Sequence, residues 1–360
     1  MHIRKSLVTI LICLLGLGLF AAPALARKPS LNAWKANFDP SGAKYKCMVS
    51  NVSHPAIKGV YAGYAIRDEL WKRTKGQIYF NYKPLSVLGG EVEVLNQLQM
   101  GAIQGMGVSS VAATNLGPRF GLINLPFLVN SFDKLDKFVA SGKLFEHYMR
   151  AMKHQGIMGL DITGYGNYGW ATTTPVRSIV AARKLKFRTA EAAVNQLVYK
   201  QWGMNPVAMP WPDVPVALKQ GVIDGLDHTP MVCNITKKFE VAKYYTYLNY
   251  AQGLFIWIFN EAWFNHLPKD LQKIFTEVVH DVCAKIRQET RLQEAEQIAK
   301  AKANGIEFIS LPQSDMATLK KLGDAAHKKY ADEINKIYPG DSYMSRHYLK
   351  DVQDYMGYKP

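Results

Sequence analysis

Residues 184–226, KLKFRTAEAAVNQLVYKQWGMNPVAMPWPDVPVALKQGVIDGL, change hydrophobic period four times in a short stretch. KLKFRT reads as a strand, EAAVNQLVYKQWG as a helix stopped by Gly203, NPVAMP as a strand, PDVPVALKQG as a short helix and VIDGL as a strand. Strands alternating with helices predict an α/β fold whose sheet is mainly parallel.

The alternation continues on both sides. Upstream, YKCMVSNV is strand-like, IKGVYAGYAIRDELWKRT carries a helical apolar stripe, and GQIYFNYK returns to strand. After a turn at Gly89 and Gly90, EVEVLNQLQM puts Val92, Leu95 and Leu98 on one helical face, and Gly101 ends it. FDKLDKFVASGKLFEHYMRAM reads as one helix feeding the strand GIMGLDIT. Downstream, NYAQGLFIWIFN is apolar, aromatic and β-branched throughout, as a strand buried on both faces requires. From Pro268 to Lys302 the apolar positions Leu271, Ile274, Phe275, Val278, Val279, Val282 and Ile286 mark a helix of about 35 residues, roughly 50 Å long. Such a helix reaches across two lobes.

Between these halves lies DITGYGNYGWATTTPV, residues 161–176, in which Gly164, Gly166 and Gly169 have dinucleotide-fingerprint spacing. That fingerprint needs a helix N-terminus after the glycines to hold a pyrophosphate. Here Thr172, Thr173, Thr174 and Pro175 come next, which suit a second strand. The run is expected to be a Gly- and Tyr-rich bend between two strands, with no nucleotide cofactor.

Arg4 and Lys5, the apolar run Leu7 to Phe20, and the small residues Ala24 and Ala26 have the layout of a secretory signal peptide over residues 1–26. Cys13 lies inside that run without small residues before it, so no lipid anchor is expected. Residues 27–43 read as an irregular extension, and the chain as an exported, periplasmic protein. Cys47, Cys233 and Cys283 fit neither a disulfide framework nor a zinc motif and read as buried apolar residues, with one bridge and a leftover thiol as the alternative. The formal net charge of +15 would fall to +13 without the leader. Its lysines are spread over helix faces, as in KKLGDAAHKK, so no nucleic-acid partner is implied, while small anions are attracted.

Enzymatic machinery is missing from the pattern. There is no His-Glu-x-x-His, no Gly-x-Ser-x-Gly and no Gly-Lys-Ser/Thr phosphate loop, and the nine histidines are scattered. No enzyme, metal or cofactor is expected. The informative polar residues are single ones at strand ends. Arg188 ends the strand LKFR, at the edge where open α/β sheets place ligand crevices. A guanidinium there can grip a carboxylate with two parallel hydrogen bonds, although arginines at such positions are often simply solvated or ion-paired.

The runs TKGQIYFNYKPLSVLGGEVEVLNQLQMGAI, INLPFLV, LKFRTAEAAVNQLVYKQWGMNPVAMPWPDVPVALKQGVIDGLDHTP, KKFEVAKYY and LPKDLQKIF resemble the substrate-binding proteins of tripartite ATP-independent periplasmic (TRAP) transporters, the dicarboxylate-binding-protein-like family. The likeness runs from about Tyr45 to Tyr330. It implies a two-lobed solute-binding fold, each lobe a mainly parallel sheet flanked by helices, with a long helix spanning both. The expected division is 44–165 with 254–290 for lobe I and 166–253 for lobe II, with 291–360 packing on lobe II and across both lobes.

The resemblance also implies that Arg188 pairs with the acid group of the substrate. It puts Trp211 at an aromatic wall of the cleft, His228 where an asparagine is usual, and Glu91, Ser109 and Ser50 or Asn51 on the lobe I side. Tyr168 stands where sugar-acid and dicarboxylate binders often carry a second arginine, and Asp213 is what remains of an acidic position after the MP-aromatic run. With Tyr168, Trp170, Trp211 and His228 gained and one cation lost, the expected ligand is a small organic monoanion with an apolar, aromatic or hydroxylated body. A monocarboxylate is favoured, with a sulfonate as alternative. The partners implied are TRAP membrane subunits, with the binding protein itself a monomer. The rival readings are a receptor for a sensor system and, less favoured, a periplasmic enzyme.

Overall fold

The structure, a computed structural model, describes residues 34–150, 155–337 and 347–359. The expected signal peptide, Cys13 and residues 27–33 of the extension lie outside them. Residues up to Asp39 form a unit apart from Pro40–Pro360, and the described part of that unit is a short irregular stretch. The second unit carries the sheet and the helices around it.

Its elements in chain order are β1 (Tyr45–Ser50), α1 (Lys58–Arg73), β2 (Ile78–Lys83), α2 (Glu91–Gln99), β3 (Gly105–Ser109), α3 (Phe132–Val139), α4 (Lys143–Arg150), β4 (Ile157–Thr172), α5 (Ile179–Ala182), β5 (Lys186–Thr189), α6 (Ala193–Gln201), β6 (Asn205–Ala208), α7 (Val214–Lys219), β7 (Gly225–His228), α8 (Pro230–Ile235), β8 (Tyr244–Asn260), α9 (Glu261–Asn265), α10 (Lys269–Ala303), β9 (Glu307–Ser310), α11 (Gln313–Ile337) and a last helix, Tyr348–Met356. The α/β alternation read from residues 184–226 is present strand by strand.

All nine of these strands join one sheet in the order β2-β1-β3-β8-β4-β7-β5-β6, with β9 beside β8. β2, β1 and β3 are mutually parallel, as are β7, β5 and β6. The long antiparallel pair β4 and β8 joins the two parallel sets. Phe255–Phe259 of β8 pairs β3, whereas Gly169–Thr172 of β4 pairs β7 at the opposite end. β8 therefore adjoins the first set and β4 the second, and the pairing of β4 with β8 carries the sheet from one set to the other.

The glycine run sits where β4 passes from one set to the other. Two strands and a bend were expected, and the structure has one continuous strand of 16 residues. The bend is absorbed as irregularities in register against β8, between Gly164 and Asn167 and between Asn167 and Gly169. Gly166 has φ +102°, and a Cβ there would lie 2.5 Å from a Glu294 carboxylate oxygen, so only glycine serves. The single helix expected over 132–152 is likewise divided, into α3 and α4, with Gly142 at φ +60° between them.

α10 has 35 residues and packs on α1, β4 and α8. It is tied to β4 by buried polar contacts as well as by apolar ones. Arg287 Nη1 donates to Asp161 Oδ1 and to the Ile162 carbonyl, both at 2.8 Å, and His280 Nδ1 lies 2.7 Å from Asp161 Oδ2. One apolar cluster unites α2, β3, α3, α4 and the C-terminal part of β8 with Tyr330 and Ile334 of α11 and Tyr348 and Val352 of the last helix. A second gathers Val214, Leu218, Leu226, Cys233, Phe239 and Tyr245 around β7 and α7. Cys47, Cys233 and Cys283 are buried free thiols. No helix among the described residues is long and apolar enough to cross a membrane.

Candidate ligand-binding site

A parallel strand delivers its C-terminal end to one edge of the sheet, and here both parallel sets aim that edge at a common cavity. Val52 and Ser53 come after β1, Ser109 ends β3, Arg188 lies on β5, Trp211 comes after β6 and His228 ends β7. Glu91 opens α2, Val232 comes from α8, and Tyr165, Tyr168 and Phe255 come from the β4 and β8 pair. The cavity measures about 30 Å³, room for one or two waters.

Arg188 is 5% exposed. Its Nε and Nη2 both donate to the Met209 carbonyl, at 3.0 and 2.7 Å, which aligns the guanidinium and leaves its Nη1/Nη2 end for another acceptor. Burial lowers its pKa, opposed by nearby Tyr168, Glu91 and Asp227. The Trp211 ring lies 5.6 Å from the guanidinium carbon and 4.7 Å from the His228 ring.

His228 Nδ1 accepts the Thr229 N–H at 2.9 Å, so the ring proton belongs on Nε2. Burial holds the imidazole well below its ordinary pKa, and Arg188 and Lys238 add to that. It is a neutral donor. The Tyr165 and Tyr168 hydroxyls share a hydrogen bond of 2.7 Å, and burial raises both pKa values, so both stay protonated. Across from them the Glu91 carboxylate accepts from Ser109 N at 2.6 Å and Ser109 Oγ at 2.8 Å. Burial raises Glu91 and the Ser109 hydrogen bonds oppose the rise.

Arg188, Trp211, His228, Tyr168, Glu91 and Ser109 thus come together. Three expected wall residues do not. Ser50 is fully buried at the end of β1, away from the cavity lining. Asn51 spends its amide on the Gly107 carbonyl and the Ser53 N–H, fixing the turn after β1. Trp170 is fully buried among Phe187 and Trp202 and donates to the Tyr199 hydroxyl at 2.9 Å. Asp213 is exposed.

Sequence reasoning missed Ser53, Val232 and Phe255 on the wall, and Lys238 and Asp227 behind it. Asp227 is 3% exposed, and its Oδ2 accepts from Tyr250 at 2.6 Å and Asn195 at 3.2 Å. Burial raises its pKa to about 7 against those hydrogen bonds and Arg188. Because the folded value is raised, the stability from this group is complete below the unfolded carboxyl pKa and is lost as pH rises through 7. Asp227→Asn should flatten this limb, worth at most about 4 kcal/mol. Urea unfolding at pH 5 and pH 8 measures it, and a slope equal to that of the parent would refute the assignment.

The family model for bacterial extracellular solute-binding proteins, family 7 (DctP), matches residues 49–333. The uncharacterized protein YiiZ of Salmonella typhimurium is 28% identical over 182 residues, 50% of this chain and 55% of the relative. The C4-dicarboxylate-binding periplasmic protein DctP of Vibrio cholerae is 28% identical over 268 residues, 74% of this chain and 79% of the relative. Among solved structures, a TRAP periplasmic solute-binding protein from Desulfovibrio salexigens with bound orotic acid has a TM-score of 0.80 at 18% identity, covering 87% of this chain and 99% of that one.

Proposed function

The chain belongs to the bacterial extracellular solute-binding proteins of family 7, and on that premise we propose that it captures a small organic acid, a monocarboxylate, for a TRAP-type transporter in the periplasm. The observation that carries this reading is the Arg188 guanidinium, held by the Met209 carbonyl with its free end at the cavity and an aromatic wall beside it. One cationic fork on the wall suits one acid group. Glu91 on the same wall disfavours a second carboxylate and suits a ligand hydroxyl that can donate to it.

Residues 44–165 with 254–290 act as one lobe and 166–253 as the other, with 291–360 packing on the second and across both, and the hinge lies at the β4 and β8 pair that joins the parallel sets. A cavity of about 30 Å³ cannot take up an organic acid as it stands, so the ligand enters an open arrangement and favours the closed one by touching both sides. Closure presents the surface that membrane subunits recognise, and the protein works as a monomer. Orotic acid, the ligand of the Desulfovibrio salexigens relative, is a planar ring bearing one carboxyl group, a shape that Trp211 and His228 can cover.

A thermal-shift screen of monocarboxylates, dicarboxylates and sulfonates tests the proposal. A ligand at 100 times its Kd adds about 2.7 kcal/mol of stability. Ring-bearing or hydroxylated monocarboxylates should shift Tm most. A larger shift with dicarboxylates or sulfonates overturns the monocarboxylate assignment, and no shift with any of them overturns organic-acid capture.

A further inference from the structure

Lys238 is 5% exposed, and Lys237 before it takes φ +61° at the start of the short helical turn Lys238–Glu240. Its Nζ makes one hydrogen bond, 3.3 Å to the Thr236 carbonyl, and sits 4.4 Å from the centre of the Trp211 ring. The charged and titratable groups coupled to it are Arg188 from β5, the Cys233 thiol from α8 and the His228 ring from β7, and no carboxylate is among them. Its neighbour Lys237 is spent on Glu240 at the surface. A buried ammonium with one hydrogen bond and no counter-ion is costly unless something answers its charge.

Trp211 has Lys238 and Arg188 against it and is itself part of the cavity wall. Lys238 does not line the cavity, so its influence passes through the ring and through its field. We propose that Lys238 is a positioning and charge-setting residue of the acid-binding cleft, whose ammonium seats the Trp211 ring and supplies positive potential that an anionic ligand at Arg188 answers. This rests on the organic-acid reading of the same cleft.

Burial brings the Lys238 pKa down to about 8, with Arg188 adding to the fall and Cys233 opposing it. The other titrating groups nearby are separable. Asp227 ionises near 7, Cys233 is pushed up to about 12, and His228 stays neutral throughout. Above pH 7.5 anion affinity therefore falls as Lys238 loses its proton, beyond the range in which Asp227 ionises.

The test is calorimetry from pH 6 to 9.5 on the full protein, Lys238→Met and Lys238→Arg, with benzoate, orotate, lactate and succinate as probes. For the tightest probe, the parent should lose about tenfold in affinity between pH 7.5 and 9.5. Lys238→Met should start about tenfold weaker and lack that upper limb, while Lys238→Arg should keep the affinity at pH 7.5 and hold it to pH 9.5. A purely structural lysine would change affinity without changing the profile. Parallel profiles in all three proteins overturn the inference and leave organic-acid capture standing. If no probe binds the parent, both fall together.

Discussion

Arg188→Lys should weaken carboxylate binding by at least about tenfold, and Arg188→Ala by up to about a hundredfold, the range of a charge-assisted hydrogen bond worth roughly 1.5–3 kcal/mol. The reason is in the division of the guanidinium. One edge is committed to the Met209 carbonyl at 3.0 and 2.7 Å, and the residue lines the cavity with its Nη1 donors uncommitted to that carbonyl. An ammonium keeps the charge, yet it cannot satisfy that carbonyl and hold a planar carboxylate with two aligned donors. The probe is whichever acid gives the largest thermal shift, and calorimetry supplies the affinity. A Tm of the ligand-free variant near that of the parent shows that the loss belongs to the site. Unchanged affinity in Arg188→Lys would remove this residue from ligand recognition.

Asp161→Ala should destabilise the protein by about 3–5 kcal/mol, since it strands a buried cation. Asp161 Oδ1 accepts from Arg287 Nη1 at 2.8 Å and from the Ile162 N–H at 2.6 Å, and Oδ2 meets His280. Asp161 and Arg287 are 3% and 8% exposed, so water cannot replace the lost partner. Asp136, 3.3 Å from Arg287 Nε, compensates in part. Urea unfolding measures the loss. Adding Arg287→Met should recover most of it, because the stranded charge is then gone. The hydrogen bond to Asp161 raises the His280 pKa, so this pair's stability is present below the ordinary histidine pKa and is lost as pH rises through the folded value. In Asp161→Ala that dependence should vanish. A variant as stable as the parent would mean that α10 is held by its apolar face alone.

Most elements were legible because hydrophobic period is a local property. The helix from Lys269 to Ala303 follows from a stripe that begins at Leu271, and β5, α6, β6, α7 and β7 follow from turn glycines and short apolar runs. Arg188 was legible for the same reason, since the end of a strand is a place that sequence can mark. Two expectations failed where local signals gave the wrong weight to glycine. Gly164, Gly166 and Gly169 looked like a break in β4, and hydrogen bonding to β8 carries the strand through them. Ser141 and Gly142 looked tolerable inside a helix, and a left-handed φ ends it there.

The cleft shows the same limit. Strict alternation puts Tyr165 and Tyr168 on opposite faces of a strand, and the register shifts of β4 turn both toward the cavity. Trp170, two residues beyond Tyr168, was expected beside it and packs instead under β5 with Phe187 and Trp202. Nothing in KKFEVAKYY marks Lys238 for burial, and a left-handed residue before it turns it inward.

The alternation of strands and helices from Lys184 to Leu226, the long helix from Lys269 and the arginine at a strand end were determined by the sequence alone, because each depends on neighbours within a turn or two of chain. Which side chains share the cleft was decided only by tertiary structure. Residues as far apart as Ser53 and His228 meet because two parallel sets present the same ends to one gap, and two bulged strands cross between them. That geometry is set by pairing across the sheet, which no local period encodes.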